Sequence, residues 1–196
     1  MDIKQFIAAK AQKINQALTE YLPAEEQKPK QLHQAMRYSV LAGGKRIRPI
    51  LTLLAAKLVG GSEEEVLPAA CALELIHNYS LIHDDLPAMD DDDFRRGKKA
   101  NHLVYGPGMA ILAGDALLTA TFELISKMQI EAEKKVKIIQ LISKEAGLNG
   151  MVGGQALDLK YENKKISLSQ LKRVHLAKTA ALFRAAIVSG AYTGNI

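Results

Sequence analysis

Tryptophan is absent, cysteine occurs once, and only 5% of the residues are aromatic. A single thiol permits neither an internal disulfide nor a cysteine-based zinc centre. Cys71, inside the apolar run AACALELI, reads as a buried small hydrophobe. With so few rings, the core has to be built from Leu, Ile, Ala and Val, which leans towards helices. Strand-type alternation is missing along the whole chain, and no apolar run approaches membrane-spanning length. The N-terminal stretch MDIKQFIAAKAQKINQAL is amphipathic, without a continuous apolar signal region. These absences point to a soluble, cytoplasmic, all-α protein with no membrane insertion. Its 196 residues suffice for one domain, 1–196, around one sizeable core.

The net charge is +5, which raises the question of nucleic acid. The lysines are scattered over amphipathic segments, as at Lys134, Lys135 and Lys137, and no basic stripe is interleaved with aromatics for stacking bases. A solvated helix face accounts for them better, and no nucleic-acid partner is expected. The excess charge also favours small anionic substrates.

Helical periodicity and stop signals divide the chain. A first helix covers about 2–21 and a second about 29–41, the latter stopping at Gly43-Gly44. A third starts at Pro49, a favoured early helical position, and ends before Gly60-Gly61. Ser62 and Glu65 have capping-box spacing and open a fourth helix, apolar around much of its circumference and therefore central, which Pro87 ends or kinks. After a loop rich in glycine and charge, a helix begins near Pro107. Residues 132–146 are amphipathic, GLNGMVGGQALDL is interrupted by glycines, and a second capping box, Ser167 with Gln170, opens a helix to about Gly190.

Against this background IHDDLPAMDDDDFRRG is anomalous, with six carboxylates between Asp84 and Asp93. Two carboxylates about 4 Å apart repel by roughly 4 kcal/mol at an effective dielectric of 20. Asp84 and Asp85 also sit where the helix dipole disfavours anions. On an ideal helix Asp84 and Asp90 point about 120° apart, but a break at Pro87 can bring them onto one rim. Carboxylates so placed are either a solvated acidic loop or ligands for a hard dication. Magnesium suits them, since it takes a few carboxylates, several waters and substrate phosphates. Arg95 and Arg96 follow directly, and acids beside arginines suit a metal-bridged diphosphate.

LAGGKRIRPIL forms a second cationic site. A glycine turn is followed by Lys45, Arg46 and Arg48 at a helix start, where backbone N–H groups attract anions. A diphosphate site fits this arrangement better than a plain basic turn. His77 shares a helix face with Ser80 and Asp84 and is either a hydrogen-bonded core residue or part of the site. Lys178, in the mostly apolar HLAKTAALFRAAIVSG, either snorkels to water or shares an anion with Thr179. Gln155 and Asp158 are weaker candidates, equally readable as a local polar pair.

Taken in order, GGKRIRP, DDLPAMD with DDDFRRG, GGQALDL and AKTAALF resemble four motifs of the trans-prenyl diphosphate synthases, bacterial farnesyl diphosphate synthases most of all. The resemblance covers essentially the whole chain. It implies an isoprenoid-synthase-type helical bundle around a central cavity, normally a homodimer. It also implies that isopentenyl diphosphate condenses with a short allylic diphosphate, dimethylallyl or geranyl, to farnesyl diphosphate. Asp84 and Asp90 would hold Mg2+ on the allylic diphosphate, supported by Asp85, while Arg95, Lys178 and Thr179 would contact that diphosphate. Lys45, Arg48, His77 and Arg96 would hold isopentenyl diphosphate. Tyr79, five positions before Asp84, would help form the floor that limits product length, although an ideal helix points it about 140° from Asp84.

The family also carries a second Asp-rich motif beyond the lysine–threonine helix, and the sequence stops at GAYTGNI without one. A C-terminally truncated bundle with slower turnover is therefore expected. A non-catalytic diphosphate-binding subunit is the alternative, and a helical nucleic-acid binder is a weaker third reading.

Overall fold

A computed structural model describes residues 2–194. Helix α1 (Ile3–Tyr21) opens with the Asp2 carboxylate accepting from the Lys4 amide at 3.1 Å. It is followed by α2 (Lys30–Val40), α3 (Ile47–Leu58) and α4 (Glu63–Asp84). Residues Ala69 to Ile76 of α4 are buried without exception. Eight consecutive buried positions span more than two turns, so neighbours cover every face of this helix. Those neighbours are α1, α2, α3, α6 (Pro107–Ser126), α7 (Ala132–Ala146) and α10 (Ala181–Ala191). The core is aliphatic, with Ile14, Leu18, Leu53, Leu73, Leu117 and Leu182 among its fully buried side chains. Cys71 is at 0% exposure, and burial pushes its thiol well above the usual range. The all-α expectation holds.

Several local readings need correction. α3 begins at Ile47, two residues before Pro49, and its N-cap is Arg46 in the left-handed region at φ 51°. The Ser62 cap is only half a capping box: its hydroxyl accepts from the amides of Glu64 (3.2 Å) and Glu65 (3.4 Å), but it donates to the Glu64 carboxylate. The second box, Ser167 with Gln170, is complete.

The expected irregular loop contains a two-stranded antiparallel ribbon, β1 (Phe94–Arg95) with β2 (Lys98–Lys99). Arg96 and Gly97, both at positive φ (54° and 77°), turn it as a primed hairpin does. A short α5 (Asn101–Tyr105) then precedes Pro107. The glycine-interrupted segment forms a regular α8 (Met151–Tyr161). The next helix starts as α9 (Leu168–Val174), widens into a π-helical turn at His175–Ala180, and continues as α10.

The expectation about apolar runs also fails. α6, twenty residues with an 18-residue window of mean hydropathy 1.5, is long and apolar enough to cross a membrane by length and composition alone, as core helices of soluble proteins also are. Asp115 and Glu123 are its only charged residues, and it packs along α4, α2 and α5.

Candidate active site

The lower half of α4 forms one wall of a cavity of about 410 Å³. The wall carries His77, Tyr79, Ser80, Leu81, His83 and Asp84. Arg48 enters from α3, Met89 from the turn after α4, Gln155 from α8, and Lys178 and Thr179 from the π turn. Seven sequence candidates therefore meet here: Arg48, His77, Tyr79, Asp84, Lys178, Thr179 and the weaker Gln155. The remaining lining is largely apolar, including Met151, Val152, Leu159 and Leu182.

Pro87 shapes the acidic rim. α4 ends at Asp84, and the chain folds back so that the Asp90 amide donates to the Asp84 carbonyl at 2.9 Å. This brings the two acids together despite their divergence on an ideal helix. Burial pushes Asp84 up to about 6, with Asp90 and Asp85 adding repulsion while Lys178 and Arg95 oppose it. Among the described residues, no three or more His, Cys, Asp or Glu side chains form a metal-holding group. The donor set fits magnesium only in the form that leaves most positions to water and ligand oxygens.

Asp85 does something different. It is 2% exposed, and burial raises its pKa against the opposing Arg95. Arg95 donates to Asp85 Oδ1 through Nε (2.9 Å) and through Nη2, which also reaches Asp92 Oδ2 at 2.7 Å. Both residues line a small adjoining recess rather than the main cavity, as does Arg96. Asp90, exposed on the turn, and Lys45, exposed on the glycine turn, also lie outside the main lining.

On the basic side, the cluster read as three cations divides. Arg46 is 2% exposed and turns inward to Glu74, so it does not offer charge to an anion. Arg48 faces the cavity with its guanidinium 4.6 Å from the centre of the Phe183 ring, and its Nε is buried without a partner. The first turn of α3 has no side-chain cap, leaving its amides available to an anion. His77 is pushed down to about 3 by burial first, then by Arg48, Arg96, Arg46 and Arg95. It is neutral at pH 7, with one N–H to donate and one lone pair.

The π turn sets Lys178. Gly154 of α8 lies so close that an added Cβ would sit 2.2 Å from the Lys178 backbone nitrogen. That approach lets Lys178 Nζ donate to Asp158 Oδ2 at 2.6 Å. Sequence reasoning holds Gln155 and Asp158 as weaker candidates for the site or as a local polar pair, and does not join Asp158 to Lys178. Gln155 Oε1 is buried and unpartnered beside the cavity. Arg48 Nε is an orphaned donor that an anionic ligand would satisfy, whereas Gln155 Oε1 is an acceptor and needs a donor such as water.

Two other relationships were not legible. His83 lines the cavity with its Nε2 3.1 Å from the Ile111 carbonyl, and its ring packs edge-on to Tyr79 with centroids 5.7 Å apart. Its place before Asp84 was the only signal. Glu74, one turn or so before Tyr79 on the same helix, is engaged by Arg46 and Asn78. Tyr79 instead faces the cavity despite its angular offset, because the cavity spans a broad arc of α4.

The polyprenyl synthetase family model matches residues 29–196. Farnesyl diphosphate synthase of Micrococcus luteus is 51% identical over 183 residues, 93% of this chain and 62% of that protein. The chloroplastic heterodimeric geranylgeranyl pyrophosphate synthase large subunit 1 of Arabidopsis thaliana is 47% identical over 201 residues, 99% of this chain and 54% of that protein. The chain thus spans between about half and two thirds of the length of these relatives. An apo FPP/GFPP synthase structure from Zymomonas mobilis has a TM-score of 0.92 at 39% identity, covering 97% of this chain and 70% of that one. With a family match over that span and relatives near half identical, this chain belongs to the polyprenyl synthetase family.

Proposed function

We propose that this chain is the diphosphate-binding and ionising part of a prenyltransferase that joins isopentenyl diphosphate to dimethylallyl or geranyl diphosphate, ending at farnesyl diphosphate. The observation that carries the reading is the meeting, in one largely apolar cavity, of the Asp84 carboxylate, which feels Asp90 on the turn just outside, a separately held lysine and an arginine with an orphaned donor. In this reading Asp84 and Asp90 bind Mg2+, which when present supplies positive charge to the departing diphosphate. Lys178, oriented by Asp158, and Thr179 hold the allylic diphosphate from the opposite side. Arg48 and neutral His77, with Lys45 and Arg96 near the glycine turn, anchor isopentenyl diphosphate.

The chemistry then divides cleanly. The allylic C–O bond breaks, its electron pair leaves on diphosphate, and the carbocation is left facing Leu81, Met89 and Leu182. The isopentenyl double bond attacks that carbon, and a proton leaves to the released diphosphate. The protein contributes preorganised charge at the leaving group and an apolar wall that keeps water from the cation.

The fifteen-carbon product is supported by Tyr79 in the cavity wall and by the Micrococcus luteus relative. The Arabidopsis relative is a geranylgeranyl synthase subunit, so length is the finer part of the assignment. The test is turnover of isopentenyl diphosphate with dimethylallyl or geranyl diphosphate, with magnesium present or chelated, and products read by mass spectrometry. A magnesium-dependent fifteen-carbon diphosphate is expected. A twenty-carbon product would replace the finer assignment, and condensation that survives chelation would overturn the reading.

A homodimer is part of the same proposal. Leu103 and Val104 of α5 and Ile111 and Leu112 of α6 are 44 to 54% exposed, an apolar strip suited to a second copy of the chain. A monomeric mass by light scattering at micromolar concentration would remove it.

A further inference from the structure

Among the described residues, Glu74 is the acid buried under the basic side of the site. It lies on α4 three residues before His77, one turn away on the same face, and is 2% exposed. Its Oε1 accepts from Arg46 Nη1 at 2.6 Å and from Asn78 Nδ2 at 3.2 Å, and Arg96 Nη2 stands 3.8 Å away. The other two nitrogens of Arg46 also have fixed partners. Nε donates to Asn15 Oδ1 at 2.8 Å on α1, and Nη2 to the Val40 carbonyl at 2.6 Å on α2. One guanidinium, with no exposed side-chain surface, thus ties the glycine turn to α1, α2 and α4.

The turn itself is a strained piece of chain. Gly43, Gly44 and Arg46 have φ of 94°, 132° and 51°. A left-handed conformation at an arginine needs something to hold it, and the Glu74 carboxylate is placed to do so. The turn carries Lys45 on one side of Arg46 and Arg48 on the other. Arg96 donates to the Gly43 carbonyl and lies flat on Gly44, where an added Cβ would meet its Cζ at 2.9 Å. Two guanidinium groups, Arg46 and Arg96, therefore stand at one carboxylate before any ligand arrives, and Arg48 lies within its electrostatic reach. Arg48 and Arg96 are both held below the usual arginine range by burial first, with Glu74 pulling each back up against neighbouring guanidinium groups.

We propose that Glu74 is a positioning residue for the magnesium-independent diphosphate site: through Arg46 it locks the left-handed turn that presents Lys45 and Arg48, and it holds Arg96 beside them. It touches no substrate. Its role is to make a cluster of like charges stand together in the free protein, so that the anion finds its donors already in place. This rests on the reading of the basic side as an anion site.

Two titrations separate the possibilities. Inorganic diphosphate in magnesium-free buffer reads the basic side, and a bisphosphonate with saturating magnesium reads the acidic rim. Glu74→Gln keeps the shape and removes the charge. It is expected to weaken magnesium-free diphosphate binding about ten-fold or more, leaving the magnesium-supported bisphosphonate within about two-fold. Equal loss for both ligands would make Glu74 a general structural residue and overturn the inference, and unchanged diphosphate affinity would do the same. Wild-type protein that ignores diphosphate would instead remove the anion-site reading beneath it, so the two failures look different. Should Glu74→Gln not fold, Glu74→Asp keeps the charge but withdraws it by one methylene. An affinity loss of about three-fold or more is then expected, and wild-type affinity would overturn the proposal.

Discussion

The amide of Asp90 donates to the carbonyl of Asp84 at 2.9 Å, closing the chain on itself across Pro87. That one bond converts two acids that a helix would splay into a shared rim, and Asp90 contributes to the raised pKa of Asp84. The rim offers too few fixed ligands for a strongly hydrated ion by itself. Magnesium and a diphosphate-like ligand should therefore bind together. Calorimetry with a bisphosphonate is expected to show affinity higher by about ten-fold or more with magnesium than with chelator. Equal affinities in the two buffers would remove the metal role of Asp84 and Asp90.

The same cooperation should depend on pH in a definite direction. Asp84 sits at about 6 in the free protein, and only its ionised form binds a cation. Magnesium-supported bisphosphonate affinity should rise from pH 5 to pH 7 and level off above. A flat profile across that window would contradict the assignment, once the ligand's own titration is subtracted.

Asp84 should also cost stability. Its folded-state pKa is raised from 3.8 to about 6, so the folded chain holds that proton more tightly than the unfolded chain. Linkage then makes the group's contribution decline as pH rises through this interval and remain unfavourable above it. Asp84 keeps some contact with solvent, which tempers the full effect of the shift. Asp84→Asn is expected to raise unfolding free energy by about 1 kcal/mol at pH 7, with the gain disappearing near pH 4. Urea denaturation at the two pH values measures it, and a destabilised variant at pH 7 would be the contrary result.

Gly154→Ala tests the contact that sets Lys178. The new methyl would stand 2.2 Å from the Lys178 backbone nitrogen, so α8 and the π turn must separate. Overpacking of this kind costs about 1–3 kcal/mol. The shift should also weaken the Lys178–Asp158 pair and with it bisphosphonate binding. A variant as stable and as tight-binding as wild type would show that the close approach is unnecessary.

Tyr79→Ala should lengthen the cavity. Bisphosphonates with tails of increasing length measure its depth directly. Wild-type affinity is expected to stop rising near a farnesyl tail, whereas the variant should keep gaining with a longer one. Each further buried methylene is worth up to about 0.8 kcal/mol. A folded variant with an unchanged tail-length limit would mean that Tyr79 is not the floor.

Much of the fold was legible because it is written in short-range terms. Ser167 with Gln170, Asp2 before α1, and the apolar circumference of α4 each depend on residues within a turn or two of one another. The π turn was not legible: AKTAALF reads as continuous helix, and the widening coincides with an approach of α8 that only Gly154 allows. The ribbon at Phe94–Lys99 was hidden for a similar reason. Its strands are two residues each, too short for any alternation to show.

By itself, the sequence determined that the chain is helical, that carboxylates and cations come in separate ordered groups, and which family those groups belong to. The tertiary structure decided which of them can act. Arg46 and Arg48 are two positions apart and chemically identical, yet Arg46 is buried on Glu74, a carboxylate 28 positions away, while Arg48 faces the cavity. Asp84 and Asp85 are adjacent, yet Asp85 is taken by Arg95 and Asp84 lines the cavity. In both pairs the choice follows from backbone direction and from a distant opposite charge. Periodicity cannot report either, because a buried charge goes where its partner is and leaves the outward position to its neighbour.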